Sequence, residues 1–189
     1  LPNPVNDARD VAMALRMCDF SVEMALDVTL EEFEQAQMAF EKRLKPGTLA
    51  VFYFSGHGSE YQGKNYLLMR DTPHGMSAKQ LERKAIPVHE VVKGMVDCRA
   101  AFRVVILDAC RTAPVGNSER DSKSSRGLAY MEVPDLESGG TVIAFATGPG
   151  KEAKYYSDDN VLGGNMRNGL YTKFLLQHLR KRLPVREML

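Results

Sequence analysis

The sequence predicts an α/β fold in which a mainly parallel central sheet carries helices on both faces. Three mainly apolar runs are too uniform for half-exposed strands and indicate strands buried on both sides: 49–54, 103–108 and 141–147. Stretches with helical spacing of apolar side chains lie between these runs, and such alternation is typical of a parallel sheet. The 189 residues are enough for a single domain with a substantial core.

A helix and a short strand are predicted at the start of the chain. Asn3 and Pro4 have the character of an N-cap and a first helical residue, and the apolar spacing behind them predicts a helix over 5–18. Residues 21–26 then indicate a short strand. Because the chain opens on a helix cap with no strand before it, we expect that a sheet strand ahead of Leu1 is missing and that both ends are truncated.

The second helix has a defined start and end. Thr29 and Glu32 form a T-x-x-E capping box. Apolar side chains at helical spacing follow as far as Leu44, and the Pro46-Gly47 pair then ends the helix.

The remaining elements are predicted from turn residues and spacing. The stretches 59–86 and 148–164 are polar and predict irregular connections, the first with a short strand inside it. In chain order, we expect a strand at 65–69, a helix from Pro87 through Met95, a mobile loop at 111–127 and a helix from Leu170 that Pro184 ends.

The charge balance gives no support for a nucleic-acid or membrane partner. The chain carries 25 basic and 24 acidic residues, a formal net charge of +1. No apolar run approaches the roughly 20 residues of a membrane span, and the N-terminus lacks the pattern of a signal peptide. The three cysteines have no zinc-site or disulfide spacing, which favours a reducing, cytoplasmic compartment and no bound metal.

A His and a Cys follow two of the predicted buried strands. His57 comes soon after the run that ends at Phe54, and Cys110 follows Asp108. Binding and catalytic groups collect at the carboxyl ends of strands in open α/β sheets, so the pair suggests a thiol nucleophile and its general base. The backbone N–H groups of Gly58 and Cys110 are candidates for an oxyanion hole. A buried structural Cys and a loop His remain the alternative.

The motifs around this pair resemble those of the caspase-like cysteine peptidases, the clan of caspases, metacaspases and paracaspases. The resemblance lies in Phe54-Ser55-Gly56-His57-Gly58 and Asp108-Ala109-Cys110-Arg111, in the order His then Cys about 50 residues apart. Residues 1–8 and 144–147 resemble further landmarks of the paracaspase and bacterial orthocaspase branch.

This resemblance implies the caspase-hemoglobinase fold over 1–189 as a single peptidase domain. Within it, 1–115 corresponds to a large subunit, 111–127 to a mobile linker and 128–189 to a small subunit. It also implies peptide-bond hydrolysis through a thioester, with Cys110 as nucleophile and His57 as general base and acid.

Three acidic residues match positions at which metacaspases and paracaspases have acidic residues that bind the Arg or Lys side chain of the substrate. Asp108 stands two residues before Cys110, where caspases have Gln, and Asp7 and Glu152 match two further acidic positions of paracaspases. A guanidinium that enters a cleft needs carboxylates, because an unpaired buried charge is very costly. The resemblance therefore implies cleavage after Arg, with Lys weaker and negligible cleavage after Asp.

Each acid also has a structural alternative. Asp7 can favour the first turn of its helix through the macrodipole, and Asp108 can hold a loop. A lone Glu such as Glu152 is most often a solvated surface charge.

The polar loop after Cys110 offers a site for self-cleavage. The bond after Arg126, in Ser125-Arg126-Gly127, is the most accessible to a basic-specific peptidase, and an uncut linker is the equal alternative. No EF-hand-like ligand run is present. We therefore expect no cofactor, and dependence on calcium is not supported.

Two other classes of function stay open. A non-catalytic caspase-like scaffold is the first, although such domains usually lose the Cys or the His, and both are present here. A different thiol hydrolase acting on a small amide is the second, and the His-then-Cys order and the acids argue against it. The expected partners are protein or peptide substrates with Arg or Lys at the cleaved bond. An edge-to-edge homodimer also stays open.

Overall fold

Five strands and five helices are present among the residues that the structure, a computed structural model, describes: 3–73, 75–111, 140–146, 167–179 and 181. In chain order they are α1 (Pro4–Met17), α2 (Leu30–Arg43), β1 (Leu49–Tyr61), β2 (Lys64–Leu68), α3 (Ala78–Lys84), β3 (Ile86–Pro87), α4 (Val88–Asp97), β4 (Phe102–Arg111), β5 (Gly140–Phe145) and α5 (Leu170–His178).

The strands form one mixed sheet in the order β3-β2-β1-β4-β5. β4 pairs in parallel with β1 on one side and with β5 on the other, whereas β2 and β3 are antiparallel additions. The chain segment between β1 and β4 includes α4, which is the crossover that adjacent parallel strands require. The predicted α/β fold with a mainly parallel sheet is therefore confirmed.

Alternate side chains of β4 contribute to two separate cores, one on each face of the sheet. Val105 and Leu107 belong to the core that contains residues of α2 and α4. Val104 and Ile106 belong to the core that contains residues of α1 and α5. Helices thus cover both faces, as predicted, and the next residue of the second series along β4 is Asp108.

The predicted helix starts agree with the structure. The Thr29 side chain accepts from the Glu32 amide at 3.3 Å, and the Thr29 amide donates to the Glu32 carboxylate at 2.7 Å, so the capping box is confirmed. Pro87 is the N-cap of α4. α3 was not predicted, although the Ser77 amide at its start donates to the Gln80 side chain at 2.9 Å, which is one half of a capping box.

Two predicted strand boundaries are wrong. β1 continues through His57 to Tyr61, and β4 continues through Cys110 to Arg111, so both residues lie within strands and not after them. The extension of β1 has a physical cause, because β2 folds back as a hairpin and pairs with 57–61. The turn between them uses Gln62 and Gly63, both with positive φ.

Residues 21–26 do not form the predicted strand. A strand needs a hydrogen-bonded neighbour. Most of residues 20–28 instead line a cavity of about 980 Å³ whose other walls include β1, and none of them pairs with that strand. Among the described residues, no strand pairs with the edge of Leu49–Gly56 opposite β4. The strand expected ahead of Leu1 stays a prediction.

Several predictions fall on residues outside the described ranges. These are the loop beyond 111, the last residue of the strand at 141–147 and the end of the last helix at Pro184. Of the helices in the described ranges, none combines the length and the apolar character of a bilayer span.

Candidate functional site

The backbone of β1 and β4 brings the predicted His and Cys side by side. His57 is the register partner of Cys110, and Ser55 is the register partner of Asp108. Neighbouring strands lie about 4.8 Å apart. Gly58 is buried and lies in register with Leu67 of β2 and Arg111 of β4. The backbone therefore places the two candidate catalytic positions next to each other.

Polar side chains of β1 share the face of the sheet that α1 and α5 cover. Tyr53 packs against the core of that face, and Ser55 contacts Asp7 of α1. These positions are two residues apart, which is the spacing of one face of a strand. The same alternation continues to His57.

Asp7 is a fully buried carboxylate held by neutral donors. It is 0% exposed. Ser55 Oγ donates to Asp7 Oδ2 at 3.0 Å, and the backbone N–H of Gly169 donates to Asp7 Oδ1 at 2.9 Å. Burial raises the pKa of Asp7, and hydrogen bonds from Gly169, Asn168 and Ser55 oppose that rise.

Asp108 is the second buried carboxylate, with 3% of its surface exposed. Thr172 Oγ1 donates to Asp108 Oδ2 at 2.7 Å. Burial raises the pKa of Asp108 to about 6, and hydrogen bonds from the Thr172 side chain and amide oppose the rise. The negative charge of Asp7 raises the pKa of Asp108 further, so the two carboxylates share one electrostatic environment.

The two carboxylates have no cationic partner among the residues that the structure describes. The ion pairs of that part of the chain involve other acids, and the donors to Asp7 and Asp108 are hydroxyl and amide groups. Two buried negative charges without a cation are unfavourable in a folded protein. The site is therefore suited chemically to a positively charged ligand.

The first turn of α5 donates to both acids. Gly169, its N-cap, binds Asp7, and the amide of Thr172 binds Asp108. The N-terminal end of a helix stabilises negative charge through its free N–H groups and its dipole. α5 thus fixes acids that come from α1 and from β4.

An ion pair next to α5 fixes its position relative to α1. Arg167 donates to both carboxylate oxygens of Asp10, from Nε at 2.8 Å and from a terminal nitrogen at 2.9 Å. Asn168 Nδ2 also donates to Asp10 at 3.0 Å. These contacts precede Gly169 directly and fix the segment that holds Asp7.

The structure brings together only part of the predicted site. Asp7 and Asp108 meet, and His57 and Cys110 are backbone neighbours, whereas Glu152 and Arg126 lie outside the described residues. Within the described ranges, no group of three His, Cys, Asp or Glu side chains is arranged to hold a metal ion.

The polar residues that hold the acids were not predicted from the sequence. Tyr53 was treated as part of an apolar run and Ser55 only as part of the motif around His57, although their spacing of two was a readable sign of a polar strip on one face. Thr172 and Gly169 had no comparable signal, because their role depends on where α5 docks.

Comparison with known proteins gives one family and two relatives. A sequence model described as "Caspase domain" matches residues 1–189. The human "Mucosa-associated lymphoid tissue lymphoma translocation protein 1" is 26% identical over 183 residues, which cover 95% of this chain and 20% of that protein. Its homolog from Mus musculus is 26% identical over 183 residues, which cover 95% of this chain and 19% of that protein. The chain spans about a fifth of the length of these curated relatives.

Proposed function

Because the chain belongs to the caspase domain family, we propose that it is a cysteine endopeptidase that cleaves after Arg and less efficiently after Lys. Family membership includes proteases and scaffolds, so the proposal needs support from the site itself. The observation that carries it is the pair of buried carboxylates, Asp7 and Asp108, without a cationic partner among the described residues.

The chemistry we propose uses the neighbouring strand positions of His57 and Cys110. His57 removes the proton of the Cys110 thiol, and the thiolate sulfur attacks the carbonyl carbon of the scissile bond. The backbone N–H groups of Gly58 and Cys110 would stabilise the oxyanion. His57 then gives the proton to the departing amine, which leaves a thioester, and water activated by His57 releases the acid.

The choice of bond follows from the two carboxylates. A guanidinium is planar and can meet carboxylate oxygens through several N–H groups at once, whereas an ammonium is a compact point charge. Removal of the repulsion between Asp7 and Asp108 adds to the gain on binding a cation. We therefore expect Arg to be preferred over Lys, and Asp to be rejected by like charge.

Access to the carboxylates requires a movement. Asp7 is 0% exposed and Asp108 is 3% exposed, so the pair is closed to solvent in this structure. The proposal therefore includes an opening of the site before the basic side chain enters. Steps of this kind often limit the rate of enzymes that sequester their substrates.

A panel of fluorogenic peptides that differ only in Arg, Lys or Asp before the scissile bond tests the proposal. We expect hydrolysis of the Arg peptide, slower hydrolysis of the Lys peptide and none of the Asp peptide. Cys110→Ala should abolish turnover and leave the fold intact by circular dichroism. Cys98→Ala is the matched control, because Cys98 lies at the end of α4 and should be dispensable.

Two outcomes would contradict the proposal. Preferential cleavage after Asp would rule out the acidic pocket, and full activity of Cys110→Ala would dismiss Cys110 as the nucleophile. Intact masses of the wild type and Cys110→Ala, compared after storage, report whether the bond after Arg126 is cut. Intact masses that differ only by the one sulfur atom of the substitution would exclude self-cleavage.

A non-catalytic scaffold is the second candidate, and one observation favours it. Both acids are satisfied by donors from α5 and β1, as purely structural caps would be. A covalent inhibitor with an Arg side chain separates the two functions. Stoichiometric labelling of Cys110 supports the peptidase, and folded protein that remains unlabelled supports the scaffold.

A further inference from the structure

Hydroxyl groups hold both buried carboxylates. Ser55 donates to Asp7, and Thr172 donates to Asp108. The Tyr53 hydroxyl lies 2.5 Å from Thr172 Oγ1. A chain of two hydroxyls thus passes from β1 through α5 to Asp108 on β4.

The direction of the hydrogen bonds at Thr172 is set by the charge of Asp108. A hydroxyl has one proton, and the proton of Thr172 is used toward the carboxylate. Thr172 Oγ1 must then accept from Tyr53, so Tyr53 is the donor at their contact. The order Tyr53 to Thr172 to Asp108 is strongest while Asp108 is ionised, because a carboxylate is a better acceptor than a neutral carboxyl group.

Burial increases the energetic contribution of these hydrogen bonds. Thr172 is 0% exposed. Burial and the negative charge of Asp108 raise the pKa of Tyr53 strongly, so Tyr53 keeps its proton and remains a donor at every working pH. Hydrogen bonds to charged groups in such surroundings are the strong ones, and a buried group that loses its partner is destabilised.

We infer that Thr172, oriented by Tyr53, is a positioning residue that sets which side chain the acidic pocket accepts. Its hydroxyl keeps the Asp108 carboxylate ionised and fixed beside Asp7 before any ligand arrives. The inference rests on the proposed function, since it assigns the hydroxyl chain to the recognition of a basic side chain. Neither Thr172 nor Tyr53 takes part in the covalent chemistry.

The first test titrates Asp108 directly, without turnover. Carbon-13 NMR of the side-chain carboxyl in the inactive Cys110→Ala chain reports its proton affinity. Thr172→Val, which keeps the shape and removes the hydroxyl, should raise that affinity about tenfold, and Tyr53→Phe should raise it less. Thr172→Ser should restore the wild-type titration.

Tyr171→Phe is the matched control for the titration. The Tyr171 hydroxyl is buried and has no hydrogen-bond partner among the described residues, although the charge of Asp108 acts on it. Its removal should leave the proton affinity of Asp108 nearly unchanged. An unchanged titration in Thr172→Val would overturn the inference, and Tyr53→Phe provides the same test if Thr172→Val fails to fold.

The second test measures recognition. In the active chain, Thr172→Val should raise KM for the Arg peptide about threefold at pH 6.5 with little change in kcat, since a tenfold higher proton affinity lowers the ionised fraction of Asp108 by about that factor. Thr172→Ser should restore KM. An equal loss in kcat with KM unchanged would overturn a positioning role. A wild type that neither binds nor cleaves the Arg peptide would refute the proposed function, while the titration would still report whether the hydroxyls hold Asp108.

Discussion

Asp108 occupies a position at which its negative charge destabilises the folded chain. Burial raises its pKa from the ordinary value of 3.8 to about 6, so the folded state binds the proton more tightly than the unfolded state does. The contribution of Asp108 to stability is therefore most favourable below about pH 4, falls as the pH rises from 4 to 6, and is constant above that. The difference corresponds to about 3 kcal/mol.

Asp108→Asn should for this reason stabilise the protein at pH 7.5. We expect the free energy of unfolding to rise by about 2 to 3 kcal/mol at pH 7.5, and the gain to disappear near pH 4. Urea unfolding at the two pH values measures it. Activity toward the Arg peptide should be lost, which is the trade-off expected of a functional site.

Asp10→Asn is the control, and the opposite change in the free energy of unfolding is expected for it. The hydrogen bond from Arg167 lowers the pKa of Asp10, so its carboxylate stabilises the fold at neutral pH, and its loss should destabilise the protein there. If Asp108→Asn also destabilised at pH 7.5, Asp108 would be a structural cap, as the scaffold function requires.

At the scale of single residues, the chemical role of a side chain was more predictable from the sequence than the neighbours that contact it. The acids Asp7 and Asp108 were expected to converge, and the structure brings them together. The hydroxyls of Tyr53 and Thr172 were not foreseen, because a Tyr in an apolar strand and a Thr in a helix are ordinary core residues until a neighbouring element supplies their partner.

At the scale of elements, α5 depends on contacts made just before its first turn. Arg167 binds both oxygens of Asp10 on α1, although the Arg167 side chain is 63% exposed. Exposed ion pairs contribute little to global stability. This one adjoins Gly169, which donates to Asp7, so its effect should be local.

Arg167→Ala should therefore impair recognition more than stability. We expect KM for the Arg peptide to rise several-fold, with kcat and the melting temperature nearly unchanged. Arg43→Ala is the matched control, because Arg43 makes a comparable exposed ion pair with Glu23 that does not involve α1 or α5. Equal KM values in the two variants would show that the Arg167 contacts do not position the pocket.

The boundaries of elements were less predictable than their existence. Local signals such as the Thr29 capping box determine where a helix starts, and that start was predicted. The length of β1 depends instead on its pairing with β2, and the failure of 21–26 to become a strand depends on a missing neighbour. Long-range pairing of this kind leaves little trace in a local stretch of sequence.

At the scale of the whole molecule, a cavity lies beside β1, along the edge that no strand of the described residues pairs with. In a parallel sheet, alternate residues of a strand direct their backbone groups to opposite neighbours. Half of the backbone groups in Leu49–Gly56 therefore face β4, and the other half face the cavity.

Hydrogen exchange followed by NMR should show this asymmetry. Within Leu49–Gly56, we expect amides that face the cavity to exchange on the order of 100-fold faster than those bonded to β4. The central residues of β4 are the control, because β1 and β5 flank them and all should be protected. Uniform protection along β1 would show that the edge is covered, and a dependence on protein concentration would identify a second copy as the cover.

The two acids also limit how this protein could evolve. Asp7 and Asp108 are bound by the first turn of α5, so a lineage that exchanged them for basic residues would place positive charge at the positive end of that helix. A descendant that preferred acidic substrates would need changes in α5 as well as in the pocket. Under the proposed function, a change in the preferred bond therefore requires coordinated changes in the pocket and in α5. Single substitutions do not produce it.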